Sequence, residues 1–222
     1  MVACLYDVHG NLPALEAVLA DAADADGWVL GGDFALFGGW PAETVARLRE
    51  LSPAIWIRGN CERLTADPET APDYVHPALA ASRAALGDEL VEELAVLPET
   101  AEDGDTFFCH ASPISDSRSF APEPADEDAE LLGDVRARRV MFGHTHLPFR
   151  RVVDGIELVN PGSVGLPFDG DPRAAYAVIG DDGRVVHHRV EYDVATSAAR
   201  VRTLGDWGDL IARRIEQGRM VT

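Results

Sequence analysis

The sequence predicts an α/β fold on two observations. Short apolar runs alternate with amphipathic stretches of helical period, and several of the runs end in aspartate, histidine and glycine. Residues 2–6 form an apolar run that reads as a strand. In residues 12–23, Leu12, Leu15, Val18 and Leu19 fall on one face of a helix. Residues 28–30 give a second strand, 41–51 a helix with proline in its first turn, and 54–57 a third strand. Residues 76–97 read as two helices broken near Gly87 and Asp88, with His76 in a loop before Pro77. Residues 106–109 form another strand. Residues 125–132 read as a helix whose acids, Asp126 to Glu130, make a solvated start.

The second half is richer in strands. Residues 139–142 read as a core strand, and 149–159 as a hairpin turning at Asp154-Gly155. Residues 174–179 and 185–191 pair around Asp181-Asp182-Gly183, with His187 and His188 as structural residues of the second strand. Residues 195–217 close the chain as one helix. Residues 112–128, rich in proline and acids, form a long excursion. With 222 residues, 46% of them hydrophobic and 26% charged, and no repeat or long linker, residues 1–222 are expected to fold as a single globular domain.

Composition removes several function classes. The first ten residues lack the basic start of a secretory signal, and no segment approaches the roughly 20 apolar residues of a membrane span. Cys4, Cys61 and Cys109 are odd in number and far apart, which suits neither a disulfide framework nor a CxxC zinc site. The expectation is a soluble, cytoplasmic protein without a membrane partner. Net charge is −19, and all 19 basic residues are arginine. So acidic a chain repels extended polyanions, which excludes tight binding to duplex nucleic acid; a small anionic substrate must be held locally, by metals or a few arginines. Arg58, Arg63 and Arg118 stand closest in sequence to the polar strand ends and read as surface salt-bridge partners.

Those strand ends carry the chemistry. The first strand runs into Asp7-Val8-His9, the second into Gly31-Gly32-Asp33, and the third into Gly59-Asn60-Cys61-Glu62. The strand at 106–109 ends at His110, and that at 139–142 runs into Gly143-His144-Thr145-His146. In open α/β sheets the carboxyl ends of strands are where ligands bind. Asp7 and His9, two apart, can turn toward one ion if the chain leaves the pleat, and the same spacing joins His144 and His146. Imidazole with carboxylate suits divalent manganese, iron, nickel or zinc, and the lack of cysteine ligands argues against a structural zinc. Seven candidates (Asp7, His9, Asp33, Asn60, His110, His144, His146) are too many for one such ion and fit two, if one carboxylate bridges. Cys61 and Cys109 read as passive small side chains.

The ordered series DVHGN, GGD, GNCE, CHAS and GHTH, followed by NPGSVGLP at residues 160–167, resembles the motif series of the calcineurin-like metallophosphoesterase superfamily, and in particular its small bacterial and archaeal phosphodiesterase-type members. The likeness runs from residue 3 to about residue 168. It implies a four-layer α/β/β/α sandwich of two mixed sheets flanked by helices. It also implies a cofactor of two divalent ions, with manganese first among the choices. Asp7, His9 and His146 would hold the first ion and Asn60, His110 and His144 the second, with Asp33 bridging. Asp33, Asn60 and His110 would stand at the catalytic centre. The reaction implied is in-line attack on phosphorus by a bridging hydroxide, on a small nucleotide-like phosphate ester. A dinucleoside polyphosphate is one alternative substrate. A non-catalytic scaffold of the same fold is an alternative of another class, against which the full set of seven positions counts. Many relatives have histidine where this chain has Cys61; a thiol is a weaker proton donor than an imidazolium.

Overall fold

The computed structural model describes residues 1–221. Among them, ten strands form two five-stranded mixed sheets. In the first sheet, β1 (Val2–Leu5) lies at the centre. It pairs in parallel with β2 (Gly27–Leu30), which pairs in parallel with β3 (Ala54–Trp56). On its other side β1 meets β9 (Ala174–Ile179) antiparallel, and β10 (Val185–Val190) forms the edge. Parallel neighbours need crossovers, which α1 (Leu12–Asp21) and α2 (Pro41–Leu48) provide. The second sheet has a parallel centre of β5 (Thr106–Cys109), β6 (Arg139–Met141) and β8 (Ile156–Asn160). It is flanked by antiparallel β4 (Thr100–Asp103) and β7 (Phe149–Val153).

The period-two alternation of the strands builds the layers. Ala3 and Leu5 turn outward onto Leu15, Val18 and Val45 of α1 and α2, while Cys4 and Tyr6 turn inward onto Phe108, Met141 and Val159 of the second sheet. Val140 and Leu158 face the far side, onto Phe120, Leu131 and Leu132. The result is the expected α/β/β/α arrangement. Each buried side chain of this size contributes about 1.5–3 kcal/mol by leaving water. The last layer is thin, made of α6 (Asp128–Leu132) and the excursion before it. No helix of the described residues is long and apolar enough to cross a membrane.

Several expectations need correction. The tail is two helices, α7 (Val194–Arg202) and α8 (Gly208–Gln217), because Thr203 ends the first and Gly205, at φ 135°, reverses the chain. The reversal packs Val201 against Ile211 and Ile215, burying both helices' apolar faces where one long helix would expose them. A helix, α3 (Asn60–Ala66), starts directly on the GNCE segment, and β4 is a mostly exposed polar strand without apolar alternation. His76 is not a loop residue: it opens α4 (His76–Leu86), with its Nε2 3.1 Å from the Ala71 carbonyl; α5 (Asp88–Ala95) follows the break at Gly87. The acids at 126–130 are not all solvated. Asp128 is buried, receives both terminal nitrogens of Arg151 at 2.7 Å, and accepts from the Ala125 N–H at 3.0 Å.

Candidate metal centre

The five strand ends meet at one place because the sheets pack face to face with their parallel strands ending on the same side. The backbone there is stitched across strands: Asp7 N–H donates to the Gly32 carbonyl at 3.1 Å, His9 N–H to that of Asp33 at 2.8 Å, and Gly143 N–H to that of His110 at 2.7 Å. The chain leaves the pleat by a repeated device. Asp7 and His9 have φ of 54° and 49°, His144 and His146 have 66° and 58°, and Asp33 has 57°. Left-handed backbone is uncommon outside glycine, although aspartate and histidine tolerate it best. Side chains on such turns point off the strand ends instead of across the sheet. Close approach demands glycine nearby: a Cβ on Gly143 would lie 2.4 Å from an Asp7 carboxylate oxygen, and one on Gly32 would lie 2.7 Å from His110 Nδ1.

Two groups of donor atoms form. Asp7, His9, Asp33 and His146 offer one set, and Asp33, His110 and His144 a second, with the donor atoms of each set within 4.8 Å of one another. Either set could hold a metal ion, and Asp33 belongs to both. His144 and His146 therefore part company. Their spacing at residue level allows both to face one ion, but the structure divides them between the groups, as the family resemblance implies. His9 Nε2 lies 3.1 Å from His146 Nε2 and 3.8 Å from Asp33 Oδ2; His146 Nε2 lies 3.4 Å from Asp7 Oδ1. His110 Nε2 lies 3.4 Å from Asp33 Oδ1. Asn60 joins the second group, its Oδ1 3.0 Å from His110 Nε2 and 2.9 Å from His144 Nδ1. Turned over, the amide would donate to these nitrogens; with its oxygen inward the three atoms offer lone pairs to a common point.

The histidines are oriented from behind. His9 Nδ1 donates to the Leu36 carbonyl at 2.9 Å, His110 Nδ1 to that of Gly31 at 2.8 Å, and His146 Nδ1 to that of Leu166 at 2.5 Å. In the neutral ring each bond selects the tautomer that leaves Nε2 free, the arrangement metal-binding histidines adopt. Two such Nε2 atoms facing each other at 3.1 Å repel unless a cation or proton lies between them, so the donor set fits divalent ions.

Charge is concentrated here. Burial pushes the carboxyls of Asp7 and Asp33 up, but the histidines beside them outweigh it: His146 holds Asp7 below the usual carboxylate range, and His110 holds Asp33 well below. Burial presses His110 down, yet Asp33 and Asp7 raise it to about 10, whereas burial and then His146 lower His9 to about 4.

Supporting residues surround the groups. Cys61, no nucleophile, anchors Asp33: its N–H donates to Asp33 Oδ1 at 2.9 Å and its thiol to Asp33 Oδ2 at 3.0 Å. Burial and the Asp33 charge push that thiol well above its ordinary pKa, so it stays protonated. Cys109 is buried and plays no part in either group. The segment at 160–167 is more than a turn. Ser163 donates to the Asp7 carbonyl at 2.7 Å, Asn160 to that of Gly143 at 2.8 Å, and Leu166 receives His146. Sequence reasoning missed Glu62, whose buried carboxylate accepts from the N–H groups of Asp33, Phe34 and Gly59 at 2.8–2.9 Å. Burial, then Asp33, raises its pKa to about 7. Its place three residues after Gly59, as in a capping box, was the available signal. Arg58 pairs with Glu99, Arg63 with Asp116 and Arg118 with Glu130, as expected of structural arginines.

Comparison with known proteins agrees with this geometry. A family model described as the calcineurin-like phosphoesterase superfamily domain matches residues 1–183. Phosphodiesterase YfcE of Escherichia coli is 31% identical over 189 residues, covering 79% of this chain and 85% of that protein. A metallophosphoesterase structure from Sphaerobacter thermophilus superposes with a TM-score of 0.83 at 32% identity, covering 98% of both chains. The Pyrococcus horikoshii protein PH1004 shares the fold, with a TM-score of 0.85 over the full length of both chains at 22% identity.

Proposed function

The chain belongs to the calcineurin-like phosphoesterase superfamily and is thereby a metallophosphoesterase, and on that premise we propose that it hydrolyses small nucleotide-like phosphate esters with two divalent ions bridged by Asp33. The observation that carries this reading is the membership of Asp33 in both donor groups. Asp7, His9 and His146 would complete one ion's set, and Asn60, His110 and His144 the other's. When bound, such a pair polarises phosphoryl oxygens and makes hydroxide available near neutral pH. Manganese is the first candidate from the family resemblance, and donors of imidazole, amide and carboxylate without thiolate equally admit iron, nickel or zinc.

The protein's own residues do the positioning. The carbonyls of Leu36, Gly31 and Leu166 hold three imidazoles with Nε2 forward. Cys61 fixes both oxygens of Asp33, and Glu62 holds the turn beneath it. Cys61 keeps its proton tightly, so it gives a leaving group little help; esters with good leaving groups are the expected substrates. A one-domain reading of the whole chain is supported by β10, which pairs with β9 over six residues beyond which α7 and α8 follow. Three unpaired buried cysteines support a reducing, cytoplasmic setting. The test is hydrolysis of bis(p-nitrophenyl) phosphate by purified protein stripped of metal and reloaded with manganese. Turnover restored by the ion is the expected result; none with manganese, nickel, iron or zinc would overturn the reading.

A further inference from the structure

The donor groups open into a cleft of about 320 Å³, a size that suits a small organic ligand. Besides His9, Asp33, Asn60, His144 and His146, its lining is largely apolar, with Phe37, Tyr74 and Phe168 as the aromatic residues. Phe168 stacks on His146 with ring centroids 4.4 Å apart, and Phe37 lies 5.9 Å from His9, so aromatic surface begins directly beside the first donor group. Tyr74 is 80% exposed and has its ring available to a ligand.

Among the described residues lining this cleft, one is an arginine, Arg214 of α8. Its Nε donates to the Val221 carbonyl at 2.9 Å, which fixes the guanidinium plane, and its two terminal nitrogens have no hydrogen-bond or carboxylate partner among the described residues. Arg58 and Arg63, the other arginines near the strand ends, are tied to Glu99 and Asp116. Burial lowers the Arg214 pKa. In a chain of net charge −19, a half-buried arginine in the cleft of the donor groups, its terminal nitrogens without a partner among the described residues, calls for an anion. A planar guanidinium fork suits the oxygens of a phosphoryl group. Helix α8 lies beyond residues 1–183, so this feature is separate from the family's matched motifs.

We infer that Arg214 is a specificity-determining residue that binds a second phosphoryl group of the substrate, whose aromatic unit rests on Phe37, Tyr74 and Phe168. The inference rests on the proposed phosphoesterase reading, because that reading puts the scissile phosphorus at the donor groups. One guanidinium accommodates one further phosphoryl group, and the acidic remainder of the chain disfavours a longer polyanion.

The test is equilibrium binding of thymidine 3′,5′-bisphosphate and of thymidine 5′-monophosphate to the manganese-loaded full chain, by calorimetry. The expected result is about tenfold tighter binding of the bisphosphate, the scale of one charge-assisted hydrogen-bonded pair. In Arg214→Gln the ratio of the two affinities falls to about one, and Arg214→Lys, a point charge without a fork, retains only part of it. Equal affinities in the unaltered protein, or a preference that survives Arg214→Gln, overturns the inference. The first comparison needs no variant and so does not depend on how the variants fold. Hydrolysis of bis(p-nitrophenyl) phosphate, followed in parallel, keeps the two readings apart. Activity without a bisphosphate preference rejects only the role of Arg214, and no activity with any ion rejects the proposed function.

Discussion

Asp7, His9, Asp33 and His146 are 0%, 4%, 2% and 5% exposed, whereas the group around His110 opens outward through half-buried His144 and Asn60. Backbone conformation separates the two groups further. All four members of the first are left-handed, against Asp33 and His144 of the second. Each such residue costs about 1–2 kcal/mol, so the deep group is held in place by surrounding structure that over-determines it. Ser163, the Leu166 carbonyl and the cross-strand hydrogen bonds of Asp7 and His9 provide that structure. The difference teaches a division of labour. The deep group is preset and more buried, although His9 and His146 still line the cleft, and the outer group is the more exposed of the two.

The change expected to break both groups at once is the largest. Asp33→Asn removes the charge they share, and activity is expected to fall on the order of 10³-fold or more, the size of a large electrostatic contribution. Steady-state rates with a chromogenic diester measure it. A clearly greater loss in Asp7→Asn would reassign the bridge.

Next in size are paired alanine changes that set one group against the other. His146→Ala and His144→Ala should each lower activity about 10²–10³-fold. They differ in metal content: His144→Ala keeps the deep ion, while His146→Ala loses it. Equal retention in the two, read by elemental analysis after dialysis, would erase the distinction between the groups.

A smaller effect is expected behind the ligands. Ser163→Ala removes the donor to the Asp7 carbonyl, and metal affinity should weaken about 10–100-fold in the deep group alone, the range typical of groups that orient ligands. Competition with a fluorescent chelator measures this. Cys61→His comes last. It should raise rates on alkyl esters about tenfold or less and leave nitrophenyl esters nearly unchanged, since only poor leaving groups need a proton. Equal effects on both would remove position 61 from any acid role. The hydrogen bond from the Cys61 thiol to Asp33 makes a loss on both substrates the signature of a disturbed carboxylate instead.

The strand ends were legible in the sequence because aspartate, histidine and asparagine interrupt apolar runs at five separate places, a pattern that a packed core does not produce. The layers followed from the family resemblance rather than from periodicity, and in the structure Ala3 and Cys4, like Val140 and Met141, alternate between faces. Other features were not legible. The left-handed turns at Asp7 and His144 leave no trace in residue type beyond tolerance of that conformation. Helix α3 is only seven residues long and begins inside a ligand motif, while β4 is too polar to announce a strand. The break after α7 rests on Gly205, within a run whose helical period continues on both sides. The roles of Glu62 and Cys61 depend on contacts across 29 and 28 residues of chain, which spacing does not reveal.

The most direct test of the account is manganese titration of chelator-stripped protein, followed by calorimetry and elemental analysis. Two ions per chain are predicted, with the deep group filling first and the outer group second at lower affinity, each step raising thermal stability by mass action. A single firmly held ion, or none after loading, would contradict it.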